Sequence, residues 1–216
     1  MIKTTFTGRA TINLYCGDCM SALAGMNADQ YNLAIVDPPY AHNSRNAYPS
    51  RLKKYGDLSY NDKKPPPEYF KLLQEKSCNQ IIWGGNYFLD WLGNTKCQIF
   101  WWKHQPVKTY ASGEIAWTSF QDRHSNIFDY KYFGAINREV DRMHPNQKPV
   151  ALYKWLLTNY AKEGDTILDT HGGSFSLAIA CWDLGFDLDA YEIDADYYKA
   201  GVDRVRRHVN QMQFEI

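Results

Sequence analysis

A buried strand that ends abruptly constrains this chain more than any other stretch. Residues 33–36 (Leu-Ala-Ile-Val) form a short apolar run, which is typical of a strand covered on both faces of a parallel sheet. The run stops at Asp37-Pro38-Pro39-Tyr40, where two prolines cannot continue a sheet ladder and restrict the residues before them to extended geometry. Because ligands of open α/β sheets bind beyond the carboxyl ends of the strands, we expect the Asp37 carboxylate and the Pro38 carbonyl to be held rigidly at a binding edge.

The residue types in this turn indicate what kind of ligand it suits. Two acceptors, the carboxylate of Asp37 and the carbonyl of Pro38, are followed by the flat ring of Tyr40. Such a set suits a planar heterocycle that carries an exocyclic amine. The alternative is a plain Asp-Pro turn at a strand end, and the tetrapeptide alone leaves both interpretations open.

Size and composition restrict the class of protein. The 216 residues suit one domain, and the hydrophobic content of 44% is typical of a globular chain. No apolar run approaches the ~20 residues of a membrane span, and the N-terminus lacks the apolar core of a signal peptide. The five cysteines include Cys16-Gly17-Asp18-Cys19, but no second pair completes a zinc site. We therefore expect no metal, and structural thiols in a reducing cytoplasm.

Charge is distributed unevenly although the net charge is zero. Residues 38–150 contain 16 Lys and Arg against 10 Asp and Glu, a net of +6, whereas residues 151–216 contain 6 against 11, a net of −5. The middle of the chain can therefore face a phosphate backbone, although a solvated surface gives the same counts.

The hydrophobic pattern predicts strands that alternate with helices. Predicted strands cover residues 10–15, 33–36, 80–83, 97–102, 114–117, 166–168 and 188–191. Predicted helices cover residues 20–26, 68–76, 149–162, 176–184 and 195–209. This order predicts an α/β domain with a parallel sheet.

A second group of residues indicates a cofactor that contains a nucleoside. Residues 166–174 read as a buried strand, a turn with Gly172-Gly173-Ser174, and the start of a helix, where the backbone can approach a ligand closely. About twenty residues later the next strand ends at Glu192, and an acid in that position commonly accepts hydrogen bonds from ribose hydroxyls. The phosphate-binding patterns of nucleotide triphosphatases and of dinucleotide enzymes are absent from the sequence.

One lysine is poorly placed for the helix that it precedes. Lys148 stands in His144-Pro145-Asn146-Gln147-Lys148-Pro149, directly before a predicted helix, where the helix dipole disfavours a cation. It is either a solvated side chain, or it faces an anionic group such as a cofactor carboxylate.

Taken together, these motifs resemble those of amino-group DNA methyltransferases that use S-adenosylmethionine. Asp37-Pro38-Pro39-Tyr40 matches the catalytic tetrapeptide of that family, and the segment from His144 to Pro149 is similar to its cofactor-helix motif. Asp169 with the following glycines is similar to its cofactor loop. Because the tetrapeptide precedes the loop, the chain resembles the circularly permuted β group. Residues 82–88 (Ile-Trp-Gly-Gly-Asn-Tyr-Phe) and 114–117 (Glu-Ile-Ala-Trp) look like interior strands of its small phage- or prophage-type members. The resemblance implies one methyltransferase domain over residues 1–216, with a Rossmann-like, doubly wound, mostly parallel sheet.

The resemblance also implies a set of cofactor contacts, with one departure from the family pattern. The family loop usually reads Asp-Pro-Phe-x-Gly-Ser-Gly, whereas Thr170, His171 and Phe175 stand here in place of Pro, Phe and the last Gly. The flat imidazole of His171 suits contact with the cofactor better than catalysis. The implied cofactor-binding residues are Asp18, Cys19, Lys148, Asp169, His171, Gly172, Gly173, Ser174 and Glu192.

The chemistry implied by the resemblance is methyl transfer to the exocyclic N6 of adenine in DNA. Asp37 and the Pro38 carbonyl would accept the two amine hydrogens, and Tyr40 would stack on a base flipped out of the duplex. The catalytic residues are thus expected to be Asp37, Pro38, Pro39 and Tyr40, and Asp rather than Ser at position 37 resembles the adenine type. The alternatives are cytosine-N4 methylation in DNA, adenine methylation in RNA, and a catalytically silent partner that binds cofactor or nucleic acid.

Recognition of double-stranded DNA is expected to involve residues 41–67 and 120–143, which are candidate DNA-contacting or target-recognition insertions. The basic residues expected to contact DNA are Arg45, Arg51, Lys53 and Lys54 at phosphates, and Arg123 and Arg138 at bases. A chain this small has little room to span a site, so a homodimer is a further hypothesis. Restriction–modification, phage protection and regulation are all compatible with these features.

Overall fold

A computed structural model describes residues 1–41, 63–108, 110–133, 136–137, 142–143 and 146–212. Four of the predicted DNA contacts, Arg45, Arg51, Lys53 and Lys54, lie outside the described residues, as does Arg138. His144 and Pro145 of the Lys148 motif also lie outside them.

The described residues form nine strands in one sheet, with helices between them. The strands are β1 (Ile2–Thr7), β2 (Thr11–Cys16), β3 (Tyr31–Val36), β4 (Ser77–Trp83), β5 (Gln98–Trp102), β6 (Gly113–Thr118), β7 (Asn126–Asp129), β8 (Thr166–Asp169) and β9 (Asp187–Glu192). The α-helices are α1 (Cys19–Gly25), α2 (Pro67–Lys76), α3 (Leu89–Leu92), α4 (Val150–Tyr160), α5 (Ser176–Leu184) and α6 (Ala195–Met212), and Gly85–Tyr87 is a 3₁₀ turn. No helix in the described part of the chain is long and apolar enough to cross a membrane.

The sheet is doubly wound. Its order is β1-β2-β9-β8-β3-β4-β6-β5-β7, and β2, β9, β8, β3 and β4 run parallel in the middle. From β3 the chain passes through α2, on one face of the sheet, to β4. From β8 it passes through α5, on the other face, to β9, which lies in the opposite direction along the strand order. The neighbours β3 and β8 therefore flank a topological switch point, where a crevice opens at the carboxyl ends of the strands. The predicted Rossmann-like, mostly parallel fold is confirmed.

Two apolar layers cover the sheet, and the middle strand shows how its residues divide between them. Leu33 and Ile35 of β3 face one layer, and Ala34 and Val36 face the other, as the alternation of side chains along a strand requires. The first layer contains the buried faces of α4, α5 and α6, and the second contains those of α1, α2 and α3. Burial on both faces explains the unbroken apolar run at residues 33–36.

The sequence pattern misses two strands, and both lie at the edges of the sheet. β1 pairs with β2 along its whole length but is mostly exposed, so its residues lack a clear apolar alternation. β7 pairs with β5 and has one buried residue, Phe128. Since β7 lies within residues 120–143, part of that candidate insertion belongs to the sheet.

Candidate active site

The two motif-bearing strands meet at the switch point. β3 pairs with β8 through Leu33 opposite Ile167 and Ala34 opposite Leu168. Asp37 follows β3 directly, and Asp169 is the last residue of β8, so both acids lie at the same edge of the sheet. A cavity of about 830 Å³ opens there. It is lined by Asp37, Pro38, Pro39, Tyr40, Asp18, Cys19, Lys148, His171, Gly172, Gly173, Ser174 and Glu192, so all the predicted catalytic residues and most of the predicted cofactor residues surround one space.

The ring of Tyr40 is fixed by its neighbours. It stacks on Tyr87, with ring centroids 5.2 Å apart and planes 20° apart, and its hydroxyl donates a hydrogen bond to Oδ1 of Asp37. Gly84 makes room for it, because a Cβ on Gly84 would lie 2.1 Å from the ring carbon Cε1 of Tyr40. Gly84 also adopts φ +66°, a left-handed conformation that favours glycine. Gly84, which directly follows β4, is therefore part of the site.

Four charged side chains of alternating sign line one wall of the cavity. Nζ of Lys148 binds Oδ2 of Asp37 and lies 3.1 Å from Oε2 of Glu114. Oε1 of Glu114 is paired with Lys103, which follows β5. The anions next to Lys148 are therefore two carboxylates of the protein itself. Contact between Lys148 and a cofactor carboxylate stays a prediction.

These pairs set the protonation of Glu114 and Lys148. Burial alone would raise the pKa of Glu114, but the ammonium groups of Lys148 and Lys103 outweigh it and lower the pKa to about 2. Burial would lower the pKa of Lys148, yet the carboxylates of Asp37 and Glu114 raise it above its ordinary value. Both groups are therefore charged at neutral pH. Glu114 was not among the predicted site residues, although a carboxylate at the start of a largely apolar strand was an available signal.

The turn after β8 is held by hydrogen bonds to its own side chains and to α2. Oδ1 of Asp169 accepts the backbone N–H of His171 at 3.0 Å. The hydroxyl of Tyr69, a buried residue of α2, lies 2.6 Å from Oγ1 of Thr170, and that oxygen lies 2.9 Å from Nδ1 of His171. Burial lowers the pKa of His171 to about 4, so its imidazole is neutral at pH 7. Its contact with a cofactor stays a prediction.

Asp169 carries an unusual charge state. Its side chain is almost fully buried, and burial together with the negative charges of Asp37 and Glu192 raises its pKa to about 7. The nearby Lys148 and the N–H of His171 oppose this rise without cancelling it. A cation placed beside Asp169 would therefore be stabilised.

Glu192, the last residue of β9, connects the end of β9 to the turns that follow β2 and β8. Its Oε2 accepts the backbone N–H of Gly173 at 2.7 Å, and its backbone carbonyl accepts the N–H of Gly17 at 2.9 Å. Burial raises the pKa of Glu192. Asp18 caps α1 by accepting the N–H of Met20 at 2.9 Å. The turn at Asp18 and the end of β9 are thus brought to the same side of the cavity.

The departure from the family loop is accommodated by packing behind the turn. Phe175 adopts φ +54°, the left-handed region in which a glycine would be unstrained, and its side chain is fully buried. A Cβ on Gly172 would lie 2.2 Å from its ring, and a Cβ on Gly201 of α6 would lie 2.6 Å from it. Arg204 donates to the carbonyl of Ser174 at 2.9 Å and braces the same turn. Two glycines therefore provide the space that the phenyl ring fills.

Arg123 is the one predicted DNA contact that the structure describes. It does not line the cavity, because its guanidinium lies over the rings of Phe120 and Tyr160 and donates to the carbonyl of Asn159 at 2.6 Å. A role of Arg123 in reading bases stays a prediction. Within the described residues all five cysteines are free thiols, and no group of three or more His, Cys, Asp and Glu side chains could hold a metal ion.

The chain is similar in sequence and in fold to known methyltransferases. The Type II methyltransferase M.HpaI of Haemophilus parainfluenzae is 22% identical over 241 residues, an alignment that covers 91% of this chain and 75% of that protein. The crystal structure of the M1.HpyAVI–SAM complex has a TM-score of 0.61 at 15% identity and covers 90% of this chain and 98% of that chain. The cytosine-N4-specific PvuII DNA methyltransferase has a TM-score of 0.58 at 11% identity and covers 93% and 92%. At these identities the two structures show a shared fold.

A match to a protein-family model shows which family the chain belongs to. The model described as DNA methylase, of the N6/N4 type, matches residues 94–203, which are more than half of the chain. The matched part includes Glu114, Lys148, the turn after β8 and Glu192. The chain that carries this cavity therefore belongs to the N6/N4 DNA methylase family.

Proposed function

We propose that this protein transfers a methyl group from S-adenosylmethionine to the exocyclic N6 of adenine in double-stranded DNA. The observation that carries the proposal is the position of Asp37 and Pro38 at the end of β3, beside the glycine turn of β8 and open to the same cavity. An amine-binding turn and a cofactor-binding turn then face one space.

The cavity fits the proposed cofactor by size and by charge. Its volume of about 830 Å³ is within the ~300–1,000 Å³ of typical ligand sites. S-adenosylmethionine carries a positively charged sulfonium. The raised pKa values of Asp169 and Glu192 indicate that these two buried carboxyl groups have too little positive charge around them, so a bound cation would stabilise their ionised forms. Gly172 and Gly173 place backbone in the cavity wall, and Glu192 is the proposed acceptor for the ribose hydroxyls.

The protein contributes positioning and electrostatics to the reaction. When bound, S-adenosylmethionine supplies an electrophilic methyl group. The lone pair of an aromatic amine is delocalised into its ring, and hydrogen bonds from both amine hydrogens to Asp37 and the Pro38 carbonyl favour a more tetrahedral nitrogen that can attack. A carboxylate offers about four acceptor positions. Tyr40 and Lys148 occupy two of those on Asp37, so capacity for an amine hydrogen remains.

Tyr40 has the geometry to support a flipped base. Its ring stacks on Tyr87 and lines the cavity beside Asp37. Extrusion of the target base costs a few kcal/mol, and stacking on an aromatic face offsets part of that cost. Pro39 holds the turn between Tyr40 and the acceptors.

The test is methyl transfer from labelled S-adenosylmethionine to unmethylated double-stranded DNA, followed by separation of the nucleosides. We expect labelled N6-methyl-2′-deoxyadenosine from the wild type and a loss of at least about 10²-fold in rate for Asp37→Ala, because a preorganised hydrogen bond to the reacting group is removed. Asp203→Ala is the matched control, since Asp203 forms a surface pair with Arg206 on α6, and it should keep the wild-type rate.

Cytosine-N4 methylation is the second candidate, because the fold is shared with a cytosine-N4-specific enzyme and the same two acceptors suit the amine of cytosine. Labelled N4-methyl-2′-deoxycytidine would establish it in place of adenine methylation, and label in RNA alone would indicate an RNA substrate. Cofactor binding without transfer to any nucleic acid would indicate a silent binding partner. A homodimer and a cytoplasmic location stay predictions, and light scattering at several concentrations tests the former.

A further inference from the structure

Glu114 is an acid in a strand that otherwise supplies apolar residues to the core. Ala116, Trp117 and Thr118 of β6 are buried, whereas Glu114 lies near the start of the strand and lines the cavity. About 30% of its side-chain surface is accessible, but its Oε2 is closed to solvent. That oxygen lies 3.1 Å from Nζ of Lys148. Withdrawal of a carboxylate oxygen from water costs free energy unless a cation compensates its charge, and Lys148 supplies that cation here.

The position of Lys148 depends on carboxylates on two sides. Its side chain is 4% accessible, and its Nζ lies between Oδ2 of Asp37 and Oε2 of Glu114, 5.5 Å from the centre of the Trp83 ring. An ammonium group has three donors. With a single carboxylate partner it would be free to bind either oxygen of Asp37, whereas attraction towards Glu114 holds it on the Oδ2 side.

We propose that Glu114 is a positioning residue for methyl transfer: it holds Lys148 against Oδ2 of Asp37 and so leaves Oδ1 for the amine of the target base. This inference rests on the proposed function. Tyr40 also donates to Oδ1 in the structure, but a carboxylate oxygen has two acceptor positions, so one position on Oδ1 is left for the amine. Lys103 neutralises the other oxygen of Glu114, so the four charges sum to zero.

A hold of Glu114 on Lys148 also predicts a change in the protonation of Lys148, which a role of Glu114 in stability alone does not predict. The carboxylate of Glu114 contributes to the raised pKa of Lys148, so its removal lets Lys148 lose its proton at a lower pH. Within the part of the chain that the structure describes, the charged and titratable groups facing Lys148 include Asp37 and Tyr40 after β3, Glu114 on β6, Lys103 after β5, and Asp169 on β8, and Tyr132, Arg142 and Tyr153 line the same cavity. Of these, Glu114→Gln changes only one, and it preserves the shape of the side chain.

The main test compares Glu114→Gln with the wild type. We expect kcat to fall about 10²-fold, the cost typical of a misplaced reacting group, while the Kd for S-adenosylmethionine stays near the wild-type value. The thermal unfolding temperature should fall, because the lowered pKa of Glu114 means that its ionised carboxylate stabilises the fold, so kcat is compared well below that temperature. The alkaline limb of the rate profile should move to lower pH. Glu163→Gln is the matched control, because Glu163 is an exposed acid away from the cavity, and it should change none of these. A wild-type kcat and pH profile in Glu114→Gln would overturn the proposal.

A double variant separates positioning from net charge. Lys103→Gln with Glu114→Gln restores the zero sum of charges but leaves Lys148 with one carboxylate. We expect it to be as slow as Glu114→Gln alone. Recovery of the wild-type kcat would show that only the net charge matters, and it would overturn the positioning role.

A readout without the reaction keeps this inference distinct from the proposed function. In cofactor-free protein, the ¹³Cε signal of Lys148, assigned by its loss in Lys148→Met, should titrate at lower pH in Glu114→Gln than in the wild type. The variant Lys103→Gln removes a partly exposed cation, and in it the ¹³Cε signal of Lys148 should titrate at a pH no lower than in the wild type. Equal titration in the wild type and Glu114→Gln would refute the hold on Lys148, even if methyl transfer is confirmed. If the wild type methylates no nucleic acid, the proposed function fails, while this titration still decides whether Glu114 holds Lys148.

Discussion

Replacement of Asp169 by Asn should remove a pH-dependent loss of stability that the buried carboxyl group imposes. The pKa of Asp169 is about 7 in the folded protein, against 3.8 for an ordinary Asp. The folded protein therefore holds this proton more tightly than the unfolded chain does. The stability that Asp169 contributes is complete below about pH 4 and is lost as the pH rises through about 7.

The size of the effect follows from the two pKa values. A difference of about three pKa units corresponds to about 4 kcal/mol between the two limits, at about 1.4 kcal/mol per unit. Between about pH 5 and about pH 8, where a folded protein is easily studied, the expected loss is about 3 kcal/mol. Asn cannot ionise, and its Oδ1 can still accept the N–H of His171 that Asp169 accepts. The wild type should thus lose about 3 kcal/mol more than Asp169→Asn over this range.

The assay is urea unfolding of the cofactor-free protein at both pH values, followed by tryptophan fluorescence and linear extrapolation. Glu192 also has a raised pKa, and its charge is one cause of the raised pKa of Asp169, so the difference between the two proteins includes the repulsion between these two carboxylates. Asp203→Asn, at an exposed position of α6, serves as the control and should follow the wild type. Parallel pH dependence of the wild type and Asp169→Asn would refute the reasoning, because the carboxyl group of Asp169 would then not bind its proton more tightly in the fold.

Two substitutions at left-handed backbone positions test the packing around the site. Gly84→Ala should unfold at a lower temperature and lose activity, because its Cβ would lie 2.1 Å from the ring of Tyr40. Gly185→Ala is its control, since Gly185 is also left-handed, at φ +79°, but a Cβ there would make only an ordinary contact, 3.7 Å from the carbonyl oxygen of Arg9; equal thermal shifts in the two would contradict a steric role. Phe175→Gly should relieve about 1 kcal/mol of backbone strain yet lose about 3 kcal/mol or more through the cavity left by the ring, so urea unfolding should show a net loss. A more stable Phe175→Gly would mean that strain outweighs packing at this turn.

Local patterns in the sequence predict the strands and turns that bear the motifs. The apolar runs of β3 and β8 are recognisable because both faces of each strand are buried, and the glycines after β8 mark the turn. The edge strands β1 and β7 lack this signal, since most of their residues are exposed. The order of strands could be inferred only through the resemblance to a known family.

Contacts between distant residues were beyond the reach of local patterns. The sequence shows that Lys148 is misplaced for its helix, but its partner Asp37 is 111 positions away in the chain. Glu114 belongs to yet another strand, so nothing local connects it to either residue. The three meet because β6 lies beside β4 and β4 lies beside β3, which is a property of the sheet order.

The pairing of β3 with β8 also has a consequence for how the chain folds. β3, α2 and β4 are neighbours in sequence, and so are β8, α5 and β9, so each group can form through local contacts. Between the two groups, β3 and β8 must close a loop of more than a hundred residues, which carries an entropic cost that slows folding. Until that step is complete, the backbone groups of β3 that pair with β8 are unpaired, and this apolar strand can associate with other chains. The cavity between the two turns therefore comes into being only when the two halves dock, in the same event that shields β3 from aggregation.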